Sequence, residues 1–425
     1  MSSAETYRLA IPNDPNKDHP VVTFNNVYIS YGLPFPIAIA KHTQGTFHAS
    51  RAYVLASKTI AERTSSLKEL EEALSGKIVG IKTGLKAHTS WGDVLSMKRE
   101  CEVLKADIII TLGGGTLTDA AKLLSLILAN DVHTPADFHT KLDIMKPSAI
   151  PKAFTAHPPT IPVICITTTL SAGEYTFAAG ATEDETGVKW QFRTGEAVKL
   201  LVLDADLVTK TTPSRLWIAS GFRAIDHCVE SFVSPLCNSL TESHAVAGIQ
   251  LLVSSLIRCK RDEEGKDVEA RRLAQMGAIE AVAAPTRVYT PCGASHAIGH
   301  MLGPFGVSHG ETSAILLPAV CAYNAKHGAN VGRQRRLASV IWGIEEFRSV
   351  AAEKHSLEGD AELWRMLRAL TRELGLPTTL KEVGVEGENV HKLAEYSLLD
   401  VFAETNPVPL TSKEQVLEVL QPVTE

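Results

Sequence analysis

The stretch Gly293 to Pro318, GASHAIGHMLGPFGVSHGETSAILLP, carries three histidines, and two of them, His296 and His300, stand four residues apart. On a helix that spacing places both imidazoles on one face, one turn apart. The third, His309, follows Gly303, Pro304 and Gly306, which end the helix and let the chain turn back. Three imidazoles able to converge on one point suit a divalent metal such as zinc or ferrous iron, or a proton relay. One histidine on a helix reads as a packed or solvated side chain; three in a glycine-punctuated segment favour chemistry.

A second chemical signal lies earlier. Gly113-Gly114-Gly115-Thr116 sits between the apolar run Asp107 to Leu112 (DIIITL) and a helical run, Thr118 to Leu128. Glycines there let the backbone approach a phosphate, and a helix N-terminus supplies N–H donors and partial positive charge. An ordinary strand-to-helix turn needs one glycine, so three favour a phosphate site, although the run is not Gly-x-Gly-x-x-Gly. The loop Thr167 to Gly173 (TTTLSAG) follows the next apolar run, Val163 to Thr167 (VICIT). Ligands of parallel sheets bind at the carboxyl ends of strands, so the two loops can line one crevice, and together they suggest a dinucleotide.

The elements that must position these groups alternate. Val21 to Tyr31 reads as an edge strand or hairpin, and Ala52 to Ala56 as a buried strand followed by a polar helical stretch to Ser75. Lys77 to Lys82 is a further strand, Val94 to Leu104 an amphipathic helix, and Lys199 to Leu203 (KLLVL) another strand. Thr182 to Lys189 reads as a hairpin around Thr186-Gly187, and Asp131 to Pro162, rich in proline and histidine, as a long surface excursion. Strand and helix in alternation predict a doubly wound parallel sheet. After Pro213 the pattern is helical throughout, with Ser214 to Val233, Ser239 to Arg258 and Val268 to Ala284 as the first helices; the charged run Lys260 to Arg272 reads as a solvated turn. The expected division is therefore an α/β domain, residues 1–212, and a helical domain, residues 213–425, carrying the histidine-rich region.

Bulk properties exclude some partners. The 425 residues are 44% apolar and 21% charged, with net charge −6 and a pI near 6.2, which argues against a nucleic-acid or anionic-membrane surface. The run Leu123 to Asn130 is too short to span a bilayer, and the N-terminus lacks the apolar core of a secretory signal. Seven scattered cysteines, none in a Cys-x-x-Cys pair, suit a reduced compartment, so a cytosolic protein acting on a small molecule is expected.

Four motifs carry a resemblance. Gly113 to Lys122 reads GGGTLTDAAK, Thr167 to Thr176 reads TTTLSAGEYT, Gly221 to Glu230 reads GFRAIDHCVE, and Gly293 to Gly310 holds the two-histidine helix and a following His-Gly. In order and spacing, over roughly residues 25 to 410, the chain resembles the iron-type (group III) alcohol dehydrogenase superfamily, and within it the maleylacetate reductases. The resemblance implies a Rossmann-like parallel-sheet domain, an all-helical domain after it, NADPH or NADH in the cleft between them, and a homodimer. Carried over by position, Gly113, Gly114, Gly115 and Thr116 would hold the pyrophosphate, with Asp119 capping or positioning that loop. Thr168, Thr169 and Ser171 would line the nicotinamide ribose. Position 223, His227, His296 and His309 would be the metal ligands, and His300 would lie beside the nicotinamide.

The sequence departs from that pattern in three places. The metal-binding aspartate is replaced by Arg223, a cation that cannot coordinate iron or zinc, and the similar maleylacetate reductases, which also lack it, work without metal. Asp226, three residues on and about 60° round the helix, is the carboxylate that can partly replace it. The gap from His300 to His309 is one residue short. Where many family members place an aspartate against the adenosine ribose, this chain has Ser57 and Lys58, which admits NADPH at least as readily as NADH.

The expected reaction is hydride transfer between a nicotinamide and a carbonyl or alcohol, without metal. Arg223, with a protonated His227, takes the place of the Lewis acid, and His300 or His296 supplies the proton. The competing role for Arg223 is a structural pair with Asp226 or Glu230. The competing reaction is the lyase and cyclisation chemistry of the related dehydroquinate synthase-like enzymes, and a third reading is cofactor binding without turnover.

Overall fold

The computed structural model describes residues 27–85, 89–145, 155–262, 264–287 and 290–425. The chain forms two compact units, Met1–Thr211 and Thr212–Glu425.

In the first unit β1 (Tyr28–Tyr31) leads to α1 (Phe35–Gly45), and β2 (Ala52–Ala56) to α2 (Lys58–Arg63) and α3 (Ser66–Leu74). β3 (Ile78–Thr83) leads to α4 (Trp91–Leu104), and β4 (Ile108–Gly113) to α5 (Gly115–Ala129). Then come α6 (Pro135–Lys141), β5 (Val163–Thr167), the antiparallel pair β6 (Ala178–Thr182) and β7 (Lys189–Arg193), β8 (Val198–Leu203) and α7 (Ala205–Thr211). Six strands make one parallel sheet in the order β1-β8-β5-β4-β2-β3. β2, β4 and β5 are buried at every position, as expected of apolar strands covered on both faces. The edge strands β1 and β3 keep partly exposed positions.

Three expectations shift. The helix after the glycine run begins at Gly115, not Thr118, because Gly114 is already its N-cap. Of Val21 to Tyr31, residues 21–26 lie outside the described residues, and Tyr28–Tyr31 forms a parallel edge strand with β8, not a hairpin. Within Asp131 to Pro162, α6 is anchored rather than loose: Phe138 is fully buried, stacked 4.5 Å from Trp91, with Phe192 edge-on. Seven residues are too few to show a helical period, which is why the sequence hid it; residues 146–154 lie outside the described residues.

The second unit is helical, with no strand among the described residues. α8 (Ser214–Val233), α9 (Ser239–Arg261), α10 (Val268–Arg287), α11 (Ala294–Leu302) and α12 (His309–Lys326) precede a further set running to Lys413–Leu420. Ile298, Leu302, Leu316, Val320, Leu393 and Leu420 belong to its core. α9 is long and apolar enough to cross a membrane by length and composition, yet half of that stretch is buried in the protein. All seven cysteines are free and buried.

Candidate active site

The carboxyl ends of β2, β4 and β5 bring the predicted cofactor residues of the first unit together. Ser57 N donates to Leu112 O (3.0 Å) and Thr168 N to Gly113 O (3.1 Å), so the exits of three neighbouring strands meet. A Cβ on Gly114 would stand 3.0 Å from Thr169 Cγ2, and one on Gly115 2.8 Å from Ser171 Oγ. The glycine run and the threonine loop therefore touch, and only residues without a side chain allow it. Thr169 and Ser171 share a hydrogen bond of 3.0 Å. The amides of Gly115 and Thr116 open α5, where a helix leaves N–H groups for an anion.

Three of the predicted residues also bond within the fold. Asp119 Oδ2 accepts from Gly180 N of β6 at 3.1 Å, tying α5 to the hairpin. Ser57 N-caps α2, its hydroxyl accepting from Ile60 N (3.3 Å), and Lys58 is an exposed side chain 3.9 Å from Glu62. Lys122 was quoted only as part of a motif, yet it is fully buried and donates to Gly173 O (2.9 Å), Thr176 Oγ1 (3.1 Å) and Ala178 O. It fixes the segment after the threonine loop from below. A lysine on an otherwise apolar helix face was the available signal.

In the second unit Arg223, Asp226, His227 and Glu230 share α8, a helix buried on nearly every face. Gly310 brings α12 against it: a Cβ there would lie 2.3 Å from the Ala219 carbonyl. The four histidines form a chain, His227–His296 at 4.6 Å between ring centroids, His296–His300 at 6.1 Å and His300–His309 at 6.3 Å. Exposure grades along it: His296 is buried, His227 and His300 half-buried, and His309, the first residue of α12, exposed.

Carboxylates hold these rings. Glu230 accepts from Gly293 N (2.8 Å), Ser295 N (2.7 Å) and His296 Nδ1 (2.7 Å), so it caps α11 and orients the imidazole at once. Asp226 accepts from Ser295 Oγ (2.9 Å) and Ser313 Oγ (2.5 Å) and lies 3.6 Å from Arg223 Nη1. Arg223 also donates to Ser313 Oγ (3.1 Å), and its Nη2 stands 3.3 Å from His300 Nε2. A guanidinium only donates, so Nε2 accepts and Nδ1 bears the hydrogen given to Asp400 Oδ2 at 2.8 Å. Asp400, a hundred residues from its partner, was invisible to spacing arguments.

Burial, then the Arg223 charge, pushes His227 down to about 3 and His296 well below its usual value. Both rings are neutral, so the protonated His227 expected from the sequence is replaced by a neutral one. Burial pushes Asp226 and Glu230 up, each against its hydrogen-bond donors and the Arg223 charge. Burial also pushes Asp400 up, but the His300 hydrogen bond and charge outweigh it and hold the carboxyl below its ordinary value. With Asp400 setting the tautomer, Asp400→Asn should lower kcat by about 10- to 100-fold while leaving the cofactor KM unchanged. Steady-state kinetics check this, and an unchanged kcat would remove Asp400 from the site.

Residues 38–205 match the description iron-containing alcohol dehydrogenase, and residues 217–423 match Fe-containing alcohol dehydrogenase family, C-terminal. Dehydrogenase FUM7 of Gibberella moniliformis is 35% identical over 411 residues, 92% of this chain and 95% of that protein. The chain belongs to the iron-containing alcohol dehydrogenase family. Dehydrogenase ALT3 of Alternaria alternata, another relative, is 36% identical over 394 residues, 88% of this chain and 99% of its own. The crystal structure of a maleylacetate reductase from a Rhizobium species shares the fold with a TM-score of 0.70 at 22% identity, over 93% of this chain and 95% of that one. As an iron-containing alcohol dehydrogenase family member the chain is a dehydrogenase, with the α/β and helical halves that the sequence predicts.

The family's name implies a metal. Position 223 offers a guanidinium, and among the described residues no group of three donors within 4.8 Å includes His309. The set carried over from the resemblance, His227, His296 and His309 with Asp226, does not lie within that spacing. Two other groups do: His227, Cys292 and His296, and Asp226, Glu230 and His296.

Proposed function

We propose that the protein is an NAD(P)H-dependent reductase of a small carbonyl compound, working without metal in the manner of the maleylacetate reductases it resembles. The observation that carries this reading is Arg223, which stands at the ligand position and reaches His300 Nε2 at 3.3 Å. The first unit would hold the dinucleotide through Gly113 to Thr116, Thr168, Thr169 and Ser171. Arg223 would donate to the carbonyl oxygen as the nicotinamide hydride adds to the carbon, offsetting the developing alkoxide charge. His300, part-exposed and held through Nδ1 by Asp400, would relay a solvent proton to that oxygen through Nε2. One hydride and one proton leave the alcohol and NAD(P)+. His296, with Nδ1 fixed on Glu230, supports the cluster rather than supplying the proton, and His309, exposed at the start of α12, lies on the solvent side of His300.

Oxidation of NADPH by a panel of aldehydes and ketones, with and without a strong chelator, tests the reading. Substrate-dependent oxidation at equal rates in both is expected; dependence on added metal would overturn it. Ser57→Asp should turn cofactor preference toward NADH, because a carboxylate at the strand exit repels a 2′-phosphate. The ratio of kcat/KM for the two cofactors measures this, and a wild type that already rejects NADPH would refute it.

A further inference from the structure

We propose that Phe402 is a positioning residue of the reaction, fixing the His300–Asp400 pair through its ring and its backbone amide at once. This role rests on the reading of His300 as the group that relays the proton. The two oxygens of Asp400 divide the work. Oδ2 accepts from His300 Nδ1 at 2.8 Å, and Oδ1 accepts from the amide of Phe402 at 2.9 Å. The carboxylate cannot turn away from the imidazole without giving up a hydrogen bond on each side. The Phe402 ring meets the imidazole itself. Its centroid lies 6.0 Å from that of His300, with the planes tilted by 47°, and 6.2 Å from that of His296, close to perpendicular at 81°. At these separations an aromatic edge meets a ring face favourably. One residue thus packs on both imidazoles of α11 and holds the carboxylate that sets the tautomer of one of them.

The segment that carries Phe402 is itself anchored to α11. Thr405 Oγ1 donates to Cys292 O at 2.6 Å, and Asn406 Oδ1 accepts from Ala294 N at 3.3 Å, both at the start of the two-histidine helix. Asn406 is paired in turn with Asn324 of α12, its Nδ2 donating to Asn324 Oδ1 at 2.8 Å. Asp400 to Asn406 therefore runs along α11 as a strap, fastened at the helix N-terminus by Thr405 and Asn406 and in its last turn by Asp400. Pinned on both sides, Phe402 has little freedom to leave the rings. A leucine there fills much of the same space but has no flat edge to set against an imidazole. Its cost should therefore fall on the orientation of His300.

Nuclear magnetic resonance of the whole protein with isotope-labelled histidine nitrogens gives the test, at alkaline pH, with the His300 signals identified by their loss in His300→Ala. The wild type should show one His300 tautomer, with hydrogen on Nδ1. Phe402→Leu should show both tautomers in exchange, and Phe402→Tyr should restore the single one. Thr405→Val, which loosens the strap and leaves the rings in place, should resemble Phe402→Leu. In turnover, Phe402→Leu should lower kcat about 10-fold, the lower end for losing a partner that orients a working imidazole, and leave the cofactor KM unchanged. Phe402→Leu/Asp400→Asn should be no slower than Asp400→Asn alone, because both changes disturb one unit. A single Nδ1–H tautomer in Phe402→Leu would overturn the proposal, as would rate losses that multiply in the double variant. The tautomer is read without substrate. A wild type that oxidises no NADPH with any carbonyl therefore refutes the reductase reading, while the spectrum still decides whether Phe402 fixes His300.

Discussion

Gly114→Val raises the Kd for NADPH by at least about a hundredfold, roughly 2.7 kcal/mol, and leaves the fold intact. A Cβ at this position already meets Thr169 Cγ2 at 3.0 Å, so two further methyl groups must push the threonine loop away or fill the space above the α5 N-terminus. Both outcomes hold a pyrophosphate away from the amides that bind it. The strand before the loop is untouched, because β4 keeps its ladders to β2 and β5. Fluorescence titration with NADPH and a melting curve separate the effects. Unchanged affinity in a folded variant would exclude this loop from the cofactor site.

The second large effect belongs to Arg223. Arg223→Gln should lower kcat by about 10² to 10³, the range for losing one group that stabilises a developing oxyanion. It should also destabilise the protein, because Asp226 is completely buried and loses its cation. The two consequences can be told apart. In Arg223→Gln/Asp226→Asn the buried charge is gone, so the melting temperature recovers while kcat stays low. If kcat per folded molecule recovers with stability, Arg223 is a structural partner of Asp226 and nothing more. Arg223→Lys keeps the charge without the planar fork, and an intermediate kcat is expected because a point charge cannot serve Ser313 and His300 together.

What the sequence disclosed and what it hid divide along physical lines. Central strands such as Ile108–Gly113 were legible because a parallel sheet covered on both faces demands unbroken apolar runs. The glycine and threonine loops were legible because backbone approach to a phosphate restricts residue types. His296 and His300 announced themselves through helical spacing. Asp400 on His300 and Glu230 on the α11 turn did not, since a carboxylate's partner depends on packing between distant helices. Cys292 had no signal at all, being one buried thiol among seven until the fold set it beside two imidazoles. The partner of Asp119 was hidden because a motif gives a residue's place and not the neighbour it meets, here Gly180 of the hairpin.

The sheet order bears on how the chain is made. β1 leaves the ribosome first among the strands, but both its ladder and the amide of Phe35 behind it wait for residues around β8, where Asp204 Oδ2 accepts that N–H at 2.8 Å. Until Leu203 has been synthesised, β5 ends the growing sheet as an open edge and β1 has no place to dock. Closing so long a loop is slow, and an unfilled edge is where nascent chains pair with one another. A fragment cut anywhere between β5 and β8 should therefore aggregate, whereas one carried through α7 possesses every strand its sheet requires.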